Sequence, residues 1–283
     1  MSKVLVMPDT HGRKFWKEPC KNIDDYERVI FLGDYLDPYS FDGISVEDAI
    51  DNFREIISFV KDKPNVVMLL GNHDMPYFSQ IYKGFSWWHC RHSTMHYNEI
   101  RKIFRENKDL FRVAHVETDV LFTHAGCTGA WVNEVFDGKY DTQIDEKKIY
   151  DLCADINKLL ETKDGLAKLY MVGRERGGRD RNGSCIWAHW TEVFEDAEYY
   201  ERLMENPSPP LSSEEVGYLS LYVKPIHHVK QVFGHSIQAY INGETGKYEY
   251  YDPIEHGNLK MLDNAKAYEL DTEKFLATEV KKG

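Results

Sequence analysis

The chain has 283 residues, 42% of them hydrophobic and 13% aromatic, enough to bury a sizeable core within one large domain. Its formal net charge of −12 argues against broad binding to duplex nucleic acid, where many Lys and Arg must meet phosphates, and reads as a solubility feature. Five scattered cysteines (Cys20, Cys90, Cys127, Cys153 and Cys185) with no Cys-x-x-Cys pair speak against a disulfide framework or zinc ribbon and fit a reducing cytoplasm.

In chain order, Met1-Ser2-Lys3 leads straight into Val4-Leu5-Val6-Met7, a short strand whose apolar run is too brief for a signal peptide. Asp9-Thr10-His11 follows it. Val29-Ile30-Phe31-Leu32 is a second such run and ends on Gly33-Asp34-Tyr35-Leu36-Asp37. A helix is expected next, with Ile50, Phe53, Ile56, Ile57 and Val60 on one face and Ser45 with Asp48 as its start signal. Val66-Val67-Met68-Leu69-Leu70 then ends on Gly71-Asn72-His73-Asp74. Strand, helix, strand implies a right-handed βαβ crossover with chemistry at the carboxyl ends of the strands. Val120-Leu121-Phe122 precedes Thr123-His124-Ala125-Gly126, and Gln231-Val232-Phe233 precedes Gly234-His235-Ser236. Unbroken apolar runs of this kind suit strands covered on both faces. No run approaches the ~20 apolar residues of a membrane span.

Residues 75–115 and 127–230 read as insertions in a single domain spanning 1–283. The first contains a helix around Tyr97, Ile100 and Phe104. It also holds the group Trp87, Trp88, His89, His92 and His96, read first as packing of an inserted segment and second as a base-stacking or capping cluster. The second contains a helix with Leu152, Ile156, Leu159 and Leu160 on one face, a Gly- and Arg-rich segment at 173–183, and a Pro/Ser-rich loop at 206–213. Beyond His235 the chain reads as β, with Tyr248-Glu249-Tyr250-Tyr251 after the turn signal at 242–246.

Five apolar runs ending in carboxylates, imidazoles and an amide are what a two-metal hydrolytic centre requires. Asp9 and His11, two apart on a strand end, point the same way and could share one ion with Asp34. Asp34 has two oxygens and could bridge to a second ion held also by Asn72, His124 and His235. Mixed nitrogen and oxygen donors suit Mn, Fe or Zn better than Ca. A water bridging the ions would lose a proton near neutral pH and serve as nucleophile. His73 should project over the site as general acid, with Asp37 on its other ring nitrogen. Asp74 reads as a turn residue, and Cys127 as a small core residue rather than a nucleophile.

These segments resemble the calcineurin-like metallophosphoesterase superfamily, whose pattern is Asp-x-His, Gly-Asp-x-x-Asp, Gly-Asn-His-Asp/Glu, a later His-Ala-Gly and Gly-His-x. The match runs from Asp9 to His235. It implies an α/β fold, a four-layer αββα sandwich of two mixed sheets with helical insertions. It also implies a bimetallic site that hydrolyses phosphate esters; two divalent ions are expected, Mn foremost and Fe, Zn or Mg as alternatives, in a cytoplasmic protein as the cysteines suggest. Such an enzyme would act on a small phosphorylated substrate or a phosphoprotein. Within the superfamily the chain is most similar to the phosphoprotein-phosphatase branch, which includes symmetrical diadenosine tetraphosphatases and Shewanella-like phosphatases.

Two departures stand out. Many other branches end with Gly-His-x-His, but here the last position is Ile237. The branch commonly carries a phosphate-gripping Arg after the Gly-Asp pair, whereas Asp37 is followed by Pro38 and Tyr39. Arg176 and then Arg179, in the 173–183 segment, are the expected substitutes. The leading expectation is hydrolysis of a phosphomonoester in one step. Phosphodiester or (di)nucleotide pyrophosphate hydrolysis is the alternative, and a catalytically silent interaction module is the rival from another class.

Overall fold

Strand alternation divides the core in two. Val4, Val6, Ile30, Leu32, Val67 and Leu69 enter one buried cluster, while Leu5, Met7, Val29, Phe31, Met68 and Leu70 enter another. Both faces of these strands are therefore covered, which is why their apolar runs are unbroken. The computed structural model describes residues 3–80, 82, 90–140, 146–195, 212–213, 225–237 and 239–280. Trp87, Trp88 and His89 and most of the 206–213 loop lie outside these.

In the first sheet β1 (Lys3–Met7), β2 (Arg28–Phe31), β3 (Val66–Leu69) and β4 (Phe111–Arg112) run parallel. On the far side of β1, β12 (Tyr268–Asp271) and β13 (Leu276–Glu279) add antiparallel, giving the order β13-β12-β1-β2-β3-β4. The second sheet has β6 (Val120–Thr123), β7 (Lys230–Phe233) and β11 (Leu259–Met261) in parallel. It is edged by antiparallel β5 (Ala114–Glu117) and β10 (Ile254–His256). The sheets meet where Val4, Val6, Ile30, Leu32 and Leu270 pack with Val120, Phe122 and Val232. β8 (Ala239–Ile241) and β9 (Tyr248–Tyr250) form a separate hairpin across the expected turn. The expected 75–115 segment thus includes β4 and the start of β5, which belong to the sheets.

Six α-helices are described: α1 (Val46–Val60), α2 (Met75–Phe78), α3 (Tyr97–Glu106), α4 (Gly129–Val135), α5 (Glu146–Lys158) and α6 (Lys163–Leu169). The start of α1 is the one read from sequence. Ser45 Oγ accepts the Asp48 N–H at 3.0 Å, a cap contributing about 1 kcal/mol. Its face of Ala49, Ile50, Phe53, Ile56, Ile57 and Val60 is buried against the first sheet. Tyr97, Ile100 and Phe104 of α3 join the same core. Leu159 and Leu160 fall in a 3-10 turn after α5 rather than in the helix itself. Among the described residues no helix is long and apolar enough to cross a membrane.

Candidate metal centre

All five chemistry-bearing segments leave the carboxyl ends of parallel strands on one edge of the two sheets. Backbone bonds lock them together. His11 N–H donates to Asp34 O at 2.8 Å, Gly12 N–H to Tyr35 O at 2.9 Å, and Gly234 N–H to His124 O at 2.7 Å. His11, Asp34, Asp37 and His235 all have positive φ, a conformation that non-glycine residues rarely adopt outside constrained sites. Two glycines let carboxylates come close. A Cβ on Gly71 would lie 2.1 Å from Asp34 Oδ1, and one on Gly234 would lie 2.4 Å from Asp9 Oδ1.

The donors converge as two overlapping groups, Asp9-His11-Asp34 and Asp34-His124-His235, with ligand atoms in each group within 4.8 Å of one another. His11 Nε2 is 3.5 Å from Asp34 Oδ2 and 4.0 Å from Asp9 Oδ2. His124 Nε2 is 3.5 Å from Asp34 Oδ2, 3.0 Å from Asn72 Oδ1 and 3.1 Å from His235 Nδ1.

The ring tautomers follow from the backbone. His11 Nδ1 lies 2.7 Å from Leu36 O and His124 Nδ1 lies 2.9 Å from Leu32 O. A carbonyl only accepts, so each Nδ1 carries the hydrogen. Burial pushes both imidazoles below their ordinary pKa, His124 to about 3, so the rings are neutral. Each Nε2 then presents a lone pair to carboxylate and amide oxygens that also present lone pairs. A cation between them makes that arrangement favourable, and a carbonyl on the far ring nitrogen is the usual partner of a metal-ligating His. His235 Nε2 is buried with no hydrogen-bond partner among the described residues. The residues present therefore fit divalent metal, with Asp34 common to both donor groups.

The carboxylates carry the same signature. Burial raises Asp9 and Asp34 well above the usual carboxylate range. The Asp263 and Asp34 charges add to this at Asp9, and the Asp74 charge adds to it at Asp34. Asp74 is more than a turn residue. Its Oδ2 accepts the N–H of Asp34 at 2.7 Å and of Gly71 at 2.9 Å, and its Oδ1 accepts the N–H of Tyr35 at 3.0 Å. It joins the second and third segments directly.

His73 Nδ1 and Asp37 Oδ2 are 2.9 Å apart, and Tyr77 Oη donates to the other Asp37 oxygen at 2.7 Å. The His73 N–H donates to Asp34 Oδ1 at 2.9 Å, and the ring meets His11 edge-on with centroids 5.2 Å apart. Burial lowers the imidazole pKa and the Asp37 carboxylate acts against it.

Three arginines surround the cluster, of which sequence reading singled out one. Arg176 Nη2 donates to His235 O at 3.3 Å and to Ser236 Oγ at 2.5 Å. Its charge lowers the His124 and His235 pKa values. Arg91 donates to Asp37 O at 3.1 Å, stacks 3.9 Å over the Tyr39 ring, and its charge reaches His11, His73 and Asp34. Arg13 is clamped by Asp42, with Nη2 2.7 Å from Oδ2. Arg179 is exposed.

Asp263 was also missed. Leu259-Lys260-Met261-Leu262-Asp263 is a sixth strand run ending in a carboxylate, so the signal was present but interrupted by Lys260. Of the His-rich group, His92 packs edge-on to Tyr77 and His96 Nε2 lies 3.3 Å from a Glu47 oxygen. Cys127 is buried as expected.

The calcineurin-like phosphoesterase family profile matches residues 2–239. The chain belongs to that family, whose members are metal-dependent phosphoesterases and generally bind a dinuclear metal centre. No curated protein matches it significantly. Among solved structures it is similar to a candidate diadenosine tetraphosphatase, at 12% identity and TM-score 0.43 over 99% of this chain and 93% of that one. It is also similar to a serine/threonine phosphatase from Saccharomyces cerevisiae described as similar to human phosphatase PP5. That match has 12% identity and TM-score 0.42 over 99% of this chain and 80% of the other.

Proposed function

We propose that the protein is a two-metal phosphomonoesterase. Asp9, His11 and Asp34 hold one ion, and Asp34, Asn72, His124 and His235 hold the other. His73 is the general acid and Asp37 its positioning partner. The observation that carries this reading is the facing of neutral His11 and His124 lone pairs onto carboxylate and amide oxygens at 3.0–4.0 Å. When bound, the ions polarise the phosphoryl group and lower the pKa of a water toward neutrality. Mn suits the donor set, with Fe, Zn or Mg as alternatives.

The side chains around the ions have separate tasks. Arg91 and Arg176, whose charges reach opposite members of the donor set, grip the phosphate and stabilise charge developing on its oxygens. Arg91, bonded to the Asp37 carbonyl, takes up the role left open by Pro38; Arg179 is exposed. His73 Nε2 gives its proton to the leaving alkoxide, while Asp37, fixed by Tyr77, holds Nδ1. A binding-only module would have no use for that pair.

A second reading, hydrolysis of a diester or nucleotide pyrophosphate, draws support from an aromatic run beside His11. The Tyr39 ring lies 4.8 Å from His11 and stacks on Phe41 at 5.0 Å, and Phe41 stacks on Tyr248 at 4.2 Å. Phe41 and Tyr248 line a cavity of about 520 Å³. Turnover of p-nitrophenyl phosphate against bis(p-nitrophenyl) phosphate by the Mn-loaded protein separates the two. Faster monoester hydrolysis is expected; faster diester hydrolysis would overturn the leading reading.

A further inference from the structure

The segment that carries Arg176 is a closed loop. Its neck is tied where Val172 meets Asp180: Asp180 Oδ2 accepts the Val172 N–H at 2.9 Å, and the Asp180 N–H donates to Val172 O at 3.2 Å. Inside the loop the Gly173 carbonyl accepts two N–H groups, from Arg176 at 3.1 Å and from Gly178 at 3.0 Å. The 3-10 turn Arg174–Arg176 therefore hangs from Gly173, and the placing of Gly173 sets where the Arg176 side chain starts. That side chain ends at His235 O and Ser236 Oγ, beside the metal ligands.

One side chain from outside the loop touches both its ends. Glu192 Oε2 accepts the Gly183 N–H at 2.7 Å, and Oε1 lies against Gly173, where an added Cβ would come within 2.1 Å of it. Gly173 has φ −65° and ψ 163°, which non-glycine residues adopt freely, so the approach of Glu192 rather than backbone conformation calls for glycine there. Glu192 is in turn fixed from beneath the metal centre. Its neighbours Val193 and Phe194 are buried with Ala125 and Phe233, next to the His124 and His235 segments. Two residues past Gly183, Cys185 O accepts the Ala125 N–H at 2.8 Å, tying the loop's exit to the same framework. A guanidinium launched from a fixed backbone loses less freedom when it meets a phosphate.

We propose that Glu192 is a positioning residue for the phosphate grip: by clasping Gly173 and Gly183 it fixes the loop from which Arg176 reaches the metal centre, so that the guanidinium is pre-set for the substrate phosphate. The inference rests on the phosphate-gripping role given to Arg176 above.

The test uses the Mn-loaded protein, with inorganic phosphate binding measured by calorimetry and kcat and KM with p-nitrophenyl phosphate. Glu192→Ala should weaken phosphate binding about tenfold and raise KM in step, with kcat within about twofold and metal stoichiometry intact. Glu192→Gln keeps an oxygen for the Gly183 N–H and should stay within about twofold of the parent. Gly173→Ala should resemble Glu192→Ala, because its methyl displaces the carboxylate, and should add nothing once Glu192 is Ala. In an Arg176→Ala background Glu192→Ala should weaken phosphate binding no further, because it acts through that arginine. Parental phosphate affinity in Glu192→Ala, even with a lowered melting temperature, would make the residue merely structural and overturn the proposal. So would an equal loss in Glu192→Gln, or losses that add to that of Arg176→Ala. If the parent neither binds nor hydrolyses phosphate, the phosphatase reading fails by itself. Amide hydrogen exchange across 173–183, expected to quicken in Glu192→Ala and Gly173→Ala but not in Glu192→Gln, still decides whether Glu192 holds the loop.

Discussion

The Asp74 carboxylate accepts the backbone N–H of Asp34 at 2.7 Å. Through this bond the third chemistry-bearing segment sets the backbone of the second, at the residue proposed to bridge both ions. Asp34 holds φ at 52°, and the Asp74 bonds to Asp34, Tyr35 and Gly71 are what keep it there. Replacing Asp74 by Asn turns one acceptor into a donor that faces backbone donors. The expected cost is about 1–3 kcal/mol of stability, read by urea unfolding, together with weaker Mn binding. Unchanged unfolding and Mn affinity would show that the segment holds its shape without this carboxylate.

His73→Ala should lower kcat by about 10²–10⁴ while leaving both ions bound. The loss should be larger for phenyl phosphate than for p-nitrophenyl phosphate, because the better leaving group needs less protonation. An equal loss for both would indicate that His73 orients substrate rather than donating a proton. Asp37→Asn should show the same pattern in weaker form, since His73 then keeps its ring but loses its charged partner.

Arg91→Ala and Arg176→Ala should each raise KM for a phosphomonoester, by an amount matching the loss of a charged hydrogen bond, about 1.5–3 kcal/mol. Arg179→Ala should leave KM unchanged. Steady-state kinetics on the three variants separates arginines that meet the phosphate from one that only faces solvent. A KM rise in Arg179→Ala alone would move the clamp to the exposed part of the segment.

Chelation of the metals should lower the melting temperature as well as abolish turnover. Asp9, Asp34, Asp37, Asp74 and Asp263 are all buried at one end of the sheets, and without cations their charges repel. Restoring Mn should restore both properties. A melting temperature indifferent to chelation would mean the carboxylates are accommodated without metal.

Acid stability can be followed at Asp155 on α5, away from the centre. Partial burial pushes its pKa up, but bonds from Lys139, Lys158 and Tyr140 outweigh this and bring it to about 2. Its folded pKa is thus below its unfolded value near 3.8. The stability it contributes is fully present above that unfolded value and is lost as pH falls from about 3.8 toward 2. Asp155→Asn should flatten the unfolding free energy across that window and reduce stability at neutral pH. Parallel pH–stability curves for parent and variant would contradict it.

The centre was legible in the sequence where an apolar run ended directly in donor residues. Asp9, His11, Asp34, Asn72, His73, His124 and His235 follow strands buried on both faces, so hydropathy and chemistry marked the same positions. Asp263 was hidden because Lys260 interrupts its run, although that ammonium is buried against Phe275, 4.8 Å from the ring centroid. Arg91 was hidden for another reason: its approach to Tyr39 and Asp37 depends on the path of an inserted segment, which local pattern does not encode. Asp74 looked like a turn residue because two of its three bonds reach a segment about forty positions away. β4 and β5 are short and mixed in polarity, so β4 and the start of β5 fell inside the expected 75–115 segment.

The most direct test of the two-metal account is Mn titration of metal-free protein by calorimetry, run on parent and Asp34→Asn with p-nitrophenyl phosphate turnover measured on the same samples. The account predicts two ions bound by the parent, loss of at least one in the variant, and loss of turnover with it. A single ion in the parent, or turnover in Asp34→Asn equal to the parent, would contradict it.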